Sequence, residues 1–219
     1  LRFRVPIHNL EGIVTFGYTG ASPGLMHLCA SRGVALSFMS PSGRLLAKIT
    51  SPVKGNVLLR KRQYELSDNQ SASVEFARSF VLGKLLNSRA VLRRFTRDHT
   101  GSRGEKEVAR AAYSLTSQID RLLSTDSLNS IRGIEGEAAR TYYEVFNHLI
   151  LHQADDFQFN GRSRRPPLDR TNAVLSFLYS LLAHECSAAL ETVGLDQQVV
   201  FLHRIRPGRH SLALDLMEE

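Results

Sequence analysis

The nineteen residues from Phe201 to Glu219 (FLHRIRPGRHSLALDLMEE) gather the side chains best suited to chemistry. One imidazole, His203, and three carboxylates, Asp215, Glu218 and Glu219, flank a basic loop carrying Arg204, Arg206 and Arg209. An imidazole and carboxylates beside guanidinium groups suit a divalent metal working next to phosphates. Ser211 is a plausible N-cap, and Ser211 to Glu219 then reads as the start of a helix. On such a helix Asp215 and Glu218 at i,i+3 face the same way, roughly 5 to 6 Å apart at Cβ, as do Asp215 and Glu219 at i,i+4. A solvated acidic helix end after a His-containing strand or turn is the competing reading of the same residues.

A second informative stretch is GIEGEAAR, residues 133 to 140. Glu135 has Gly136 beside it and Ala138 and Ala139 at i+3 and i+4, so another backbone or a ligand can approach its carboxylate closely. Glycine near a helix start costs about 1 kcal/mol against alanine, and helix packing is the plainer reason for it. Basic character concentrates in Gly161 to Pro167, where Arg162, Arg164 and Arg165 precede two prolines. It recurs along Arg78, Lys84, Arg89, Arg93, Arg94 and Arg97. That stripe is a solvated face or, with few acidic partners at i,i+4, a phosphate-facing one. Asp155 and Asp156 are adjacent and do not face each other on a helix, so they read as a solvated helix end. His8 and His27 lack carboxylates at ligand spacing. His184, Glu185 and Cys186 are consecutive, which is the wrong spacing for chelation from one helix face.

The elements that must position these groups divide the chain near residue 55. Before it, Arg2 to Ile7, Glu11 to Tyr18, Val34 to Met39 and Arg44 to Thr50 read as strands. Pro41-Ser42-Gly43 reads as a turn, and a short helix runs from Pro23, capped by Ser22, to Ser31 and is closed by Gly33. After it the period becomes helical. Asn56 caps a helix to about Leu66, Ser71 to about Phe95 carries Val74, Ala77, Val81 and Leu85 on one face, and a third helix runs from about Gly104 to Leu123. The segment bearing Glu135 continues through Tyr142, Val145, Phe146, Leu149 and Ile150 as a core face. Thr171-Asn172 opens a long apolar helix from Ala173 to about Glu191, expected to pack in the core and closed by Gly194. The fold class is therefore α+β: a small N-terminal β-rich domain, 1–55, then an all-α C-terminal domain, 56–219.

At 219 residues and 42% hydrophobic content the chain can bury one large or two small cores. Lys and Arg number 28 against 21 Asp and Glu, a formal charge of +7, which favours a polyanionic partner. No apolar run is expected to approach the roughly 20 residues that span a bilayer, so the expectation is a soluble, cytoplasmic protein with no membrane partner. Cys29 and Cys186 form no CxxC pair and read as buried thiols. A start at Leu1 and a stop at Glu219, within an unfinished amphipathic helix, suggest a fragment. No internal repeat or P-loop is present.

Taken together, LEGIVTFG (10–17), GRLLAKIT (43–50), GNVLLRKRQY (55–64), GIEGEAAR (133–140), GRSRRPPLDRTNAVLSFLYSLLAHE (161–185) and FLHRIRPGRHSLALDLMEE (201–219) resemble one family. It is the integrase of CRISPR adaptation, the larger, metal-dependent subunit of the complex that inserts new spacers, and the pattern looks closest to the subtype I-C branch. The resemblance implies an N-terminal β-rich domain, whose first strands would precede Leu1, and an all-α catalytic domain with further helices after Glu219. It implies metal ligands Glu135, His203 and Glu218, with Asp215 as an auxiliary or second-shell residue and Glu219 without a role. A His and two carboxylates suit Mg²⁺ or Mn²⁺ better than structural zinc.

The implied partners are double-stranded DNA (spacer precursor and CRISPR repeat), a second copy in a homodimer and the smaller adaptation subunit. The implied reaction is transesterification, a 3′-hydroxyl attacking a repeat-boundary phosphodiester. Arg162, Arg164, Arg165, Arg204, Arg206 and Arg209 would hold the DNA backbone. A non-catalytic DNA-binding scaffold and a purely hydrolytic metal-dependent nuclease share these residues and are the alternatives.

Overall fold

Three strands open the chain and helices fill the rest in the computed structural model, which describes residues 4–50 and 56–218. Strand β1 (Gly12–Phe16) pairs in parallel with β2 (Ala35–Met39), and β2 pairs antiparallel with β3 (Leu45–Ile49). Helix α1 (Pro23–Arg32) makes the crossover between β1 and β2. Ser22 accepts the Leu25 amide at its start, and Gly33 ends it in the left-handed conformation at φ 74°. The turn after β2 closes through Ser40 N–H to Arg44 O at 2.8 Å, with Gly43 at φ 80°. Cys29, Val34 and Leu36 form the small buried core beneath this sheet.

The N-terminal region departs from the alternation read at Arg2 to Ile7. Arg2 and Phe3 lie outside the described residues, Arg4 to Pro6 is irregular and Ile7–Asn9 is a 3₁₀ turn; among the described residues no strand lies beside this segment. The expected division at residue 55 falls in 51–55, outside the described residues, as does Glu219.

Helices α2 (Val57–Asp68), α3 (Gln70–Asp98), α4 (Glu105–Leu123) and α5 (Leu128–Glu144) follow in close succession. Asn69 both ends α2 and caps α3, its side chain accepting the Ala72 amide. The stripe Val74, Ala77, Val81, Leu85 of α3 meets Val108, Ala112 and Leu115 of α4 and Ile131, Ile134 and Ala138 of α5 in the main core. Three expectations are corrected here. Helix α5 stops at Glu144 and gives way to a 3₁₀ turn, Phe146–Leu149. Gly133 and Gly136 lie inside α5 rather than near its start, and a Cβ at either would meet nothing within 4 Å, so no packed backbone requires them. Asp155 and Asp156 sit in irregular chain rather than at a helix end, with Asp156 paired to Arg170 at 2.5 Å.

Helix α6 (Arg170–Val193) begins one residue after its cap, Asp169, which accepts the Asn172 amide at 2.7 Å. It is not the buried core helix expected. Val174, Phe177, Leu178 and Leu182 are 40–52% exposed, and its packed side is confined mainly to Cys186, Ser187 and Leu190. By length and composition it is also apolar enough to cross a bilayer, contrary to the sequence reading, although a helix of a globular protein passes the same test. Polar ties fasten it to its neighbours. Lys48 of β3 pairs with Glu191 at 2.9 Å, and Arg60 of α2 donates to Gly194 O at 2.9 Å. The amide of buried Gln63 exchanges two hydrogen bonds with the Asp196 backbone. Both cysteines are buried, as expected.

Much of the basic loop before α6 is organised around one side chain. Asn172, fully buried, accepts from Ser163 N–H at 3.0 Å and Arg162 Nη1 at 2.9 Å, and donates to Gly161 O at 2.8 Å and Asp169 Oδ2 at 2.6 Å. Removing it strands buried donors and acceptors at about 1–3 kcal/mol each. Asn172→Ala is therefore expected to lower the thermal midpoint and to expose the Arg164–Arg165 bond to limited trypsin digestion, read by mass spectrometry. An unchanged cleavage rate there would contradict this account of the loop.

Candidate active site

Helix α7 (Ser211–Leu216) is short and starts without a side-chain cap, Ser211 being its first residue rather than its N-cap. Asp215 on it is completely buried and receives four donors. Its Oδ2 accepts the amides of Phe201 at 2.8 Å and Leu202 at 2.9 Å, and its Oδ1 accepts the His203 amide at 3.0 Å and His203 Nδ1 at 2.5 Å. A buried carboxylate is costly unless its lone pairs are filled, and here they are filled by charge-assisted bonds. An ionised Asp215 only accepts, so the imidazole facing it donates from Nδ1; the neutral tautomer with that bond presents its Nε2 lone pair outward.

The same turn is gripped from its carbonyl side. Arg132 of α5 donates Nε to Leu202 O at 2.6 Å and Nη2 to His203 O at 3.5 Å. Leu202 inserts into the core shared by α3, α4 and α5, and Phe201 into the cluster under α6 and α7. Phe76 of α3 lies against Phe201 with ring centroids 4.5 Å apart. Backbone, side chains and imidazole of 201–203 are thus all specified.

Glu218 does not share a helix face with Asp215 as the i,i+3 spacing predicts. Helix α7 ends at Leu216, and Glu218, beyond it, turns to α3 while Asp215 turns inward. The Lys84 ammonium of α3 is bonded to Glu135 Oε1 and to Glu218 Oε2 together. Burial alone would lower the Lys84 pKa, but Glu218 and Glu135 outweigh it and raise the value above that of an ordinary lysine, so the group stays charged.

These groups line one cleft of about 270 Å³, with Glu135, His203 and Glu218 among Arg132, Arg204, Arg206 and Arg209. A neighbouring groove of about 320 Å³ runs from His203, Arg209 and Glu218 to Arg162, Arg164 and Arg165. The structure therefore brings Glu135, His203, Glu218 and the arginines of the two loops to one region; the stripe residue Arg78 lies elsewhere, paired with Asp126, and Arg94 and Arg97 pair with Asp98, while Glu219 is not described. Arg162 has a more internal engagement than expected, with Nη1 bonded to Ser163 O, Asn172 and Ser176 and its guanidinium 5.2 Å from the Tyr179 ring. Along the groove's wall Tyr143 meets Tyr179 hydroxyl to hydroxyl at 3.3 Å, and burial raises the Tyr143 pKa well above the usual phenol range.

Of the residues at the site, Arg132 is not picked out from the sequence, and Lys84 is picked out only as part of the basic stripe. Lys84 falls three residues after Val81 on the core-facing stripe of α3, where a lysine asks for a buried partner. Arg132 stands at i−3 from Glu135 and so on its face.

Two carboxylates and an imidazole oriented by a carboxylate form a donor set that fits a hard divalent cation. Among the described residues, however, no three His, Cys, Asp or Glu side chains are gathered tightly enough to hold a metal ion. The point where the two glutamates converge carries the Lys84 ammonium, a positive charge already accommodated there.

A small mixed sheet followed by a helical region that carries this basic carboxylate and histidine cleft defines an α+β architecture. A family model described as CRISPR associated protein Cas1 matches residues 1–219, and the chain belongs to that family. It is 48% identical over 216 residues to CRISPR-associated endonuclease Cas1 1 of Chlorobaculum tepidum. It is 50% identical over 224 residues to CRISPR-associated endonuclease Cas1 2 of Rhodospirillum rubrum. Each match covers 99% of this chain and 63% of the relative, so the chain spans less than two thirds of their length. Among solved structures it is similar to a casposase bound to integration product, with a TM-score of 0.77 and 27% identity over 95% of this chain and 56% of that one.

The pinned turn yields a direct test. Asp215→Ala leaves three backbone N–H groups without their acceptor, at about 1–3 kcal/mol each. Denaturant unfolding is expected to show a loss of at least about 3 kcal/mol. A loss under about 1 kcal/mol would mean that the turn holds without the carboxylate.

Proposed function

We propose that the chain is the integrase and endonuclease part of a spacer-adaptation enzyme, which joins new DNA to a CRISPR array by transesterification. The observation that carries this reading is the convergence, on one arginine-lined cleft, of Glu135, Glu218 and an imidazole whose Nδ1 is held by Asp215. The family and the similarity to an integrating casposase support it.

In this mechanism Glu135, Glu218 and His203 would hold Mg²⁺ or Mn²⁺. When bound, such an ion supplies Lewis-acid polarisation of a phosphodiester and neutralises charge at the attacking and leaving oxygens. Asp215 keeps the His203 lone pair directed outward and is a positioning residue. Arg164, Arg165, Arg204, Arg206 and Arg209 hold phosphates on either side, giving affinity without base readout. The 3′-hydroxyl of a spacer precursor attacks phosphorus at the repeat boundary. One phosphorus–oxygen bond forms as another breaks, and the proton of the attacking hydroxyl is balanced by the one taken up on the leaving oxygen. No covalent enzyme intermediate is required. Double-stranded DNA, a second copy of the chain and the smaller adaptation subunit are the proposed partners.

Glu135→Ala and His203→Ala are each expected to lower Mn²⁺-dependent strand transfer by about 100-fold or more, with the circular dichroism spectrum unchanged. Activity surviving in both variants would remove the site. Gel analysis of products on a repeat-containing duplex separates branched transesterification products from the nicks of simple hydrolysis. For the arginines, the Arg164→Ala, Arg165→Ala double variant is expected to bind duplex DNA more weakly. Its log–log salt slope should be shallower by about 0.9 per lost phosphate contact. An unchanged slope would place DNA elsewhere.

A further inference from the structure

The Lys84 ammonium and a divalent metal make the same demand on the same atoms. Glu135 Oε1 and Glu218 Oε2 both bond Lys84 Nζ, and the three side chains are only 21–26% exposed. The carboxylates come from α5 and from the segment after α7, and the lysine from α3, so one positive charge ties three elements together. Without it, two partly buried carboxylates would face each other with no cation between them, which like-charge repulsion and desolvation both oppose.

Lysine differs from a fixed ligand in having a flexible four-carbon stem. Lys84 also has somewhere to go. A groove of about 320 Å³ opens alongside it, lined by Ser88, Tyr143 and Arg164 and ending at Glu135 and Glu218. A swing of the stem can carry the ammonium off the carboxylates into this groove without unpacking Leu85, its fully buried neighbour.

We propose that Lys84 is a resident cation that latches the site in the metal-free protein and competes with the divalent metal for Glu135 and Glu218. This rests on the metal reading above and adds that metal affinity is set by the ease of displacing the ammonium. The latch holds the Glu218 segment against α3 and α5 until the ion replaces it.

The test is Mn²⁺ titration of the EDTA-stripped protein and of Lys84→Met, Lys84→Arg and Glu135→Gln. Free Mn²⁺ is followed by electron paramagnetic resonance and thermal unfolding is measured in parallel. Lys84→Met is expected to bind Mn²⁺ at least about tenfold more tightly than the wild type, a lost competing ion pair being the cause. It should melt lower in EDTA and gain more from Mn²⁺. Lys84→Arg, which keeps the charge, should bind no more tightly than the wild type. If Lys84→Met does not fold in EDTA, Lys84→Gln carries the same expectation.

Mn²⁺ affinity unchanged or weakened in the neutral variants, while Glu135→Gln abolishes binding, would overturn the latch and leave the metal site standing. Absence of Mn²⁺ binding in the wild type and every lysine variant would overturn both.

Discussion

The arrangement depends above all on one buried carboxylate. Asp215 has no exposure and four donors, and every one of them belongs to Phe201, Leu202 or His203. With Arg132 taking the carbonyls of the same turn, residues 201–203 between α6 and α7 are held on both their N–H and C=O sides. That path is also where two hydrophobic clusters meet, since Phe201 packs into one and Leu202 into the other. The turn is therefore both a structural junction and the mount for His203, so the imidazole inherits the rigidity of two cores. A catalytic group on an unsupported loop would lack this positional definition.

Around that mount the charges are arranged in layers. Closest in, Lys84 offsets one of the two charges that Glu135 and Glu218 bring, and the raised lysine pKa reflects how strongly they favour its charged form. Farther out, arginines from the 204–209 loop and from the loop before α6 line adjoining hollows. An excess of cationic groups around a small acidic centre suits a polyanion whose phosphodiester must approach carboxylates that would otherwise repel it. Asn172 gives the outer layer its geometry by holding the loop of Arg164 and Arg165 to the first turn of α6. Arg164 and Arg165 thus lie on a loop anchored to the start of α6.

Elements with a strong local signal were legible. Ser22 and Gly33 bracket α1, Asn56 caps α2, and the stripe Val74, Ala77, Val81, Leu85 is the buried face of α3, because capping and periodicity are properties of neighbours in the chain. The readings that failed depended on distant partners. Arg2 to Ile7 alternates like a strand, yet Arg4 to Pro6 is irregular. Helix α6 has the composition of a buried helix, yet Leu178 and Leu182 are about half exposed, and Phe177 is 40% exposed even with Phe16 beside it. Asp215 and Glu218 have the spacing of one helical face, but α7 ends between them and sends their side chains in different directions.

The sequence by itself determined the class of fold, the basic character and the identity of Glu135, His203, Asp215 and Glu218 as residues worth watching, since these follow from residue type, local spacing and family likeness. Only the tertiary structure decided their division of labour. It made Asp215 an internal support and brought Glu135 and Glu218 within reach of one cation. It also showed that cation to be Lys84, a residue that sequence spacing had assigned to an outward basic stripe. The physical reason is that hydrogen bonds and ion pairs act over a few ångströms in space, and the groups that form them here come from α3, α5, the 201–203 turn and the end of α7. No one-dimensional spacing records that convergence.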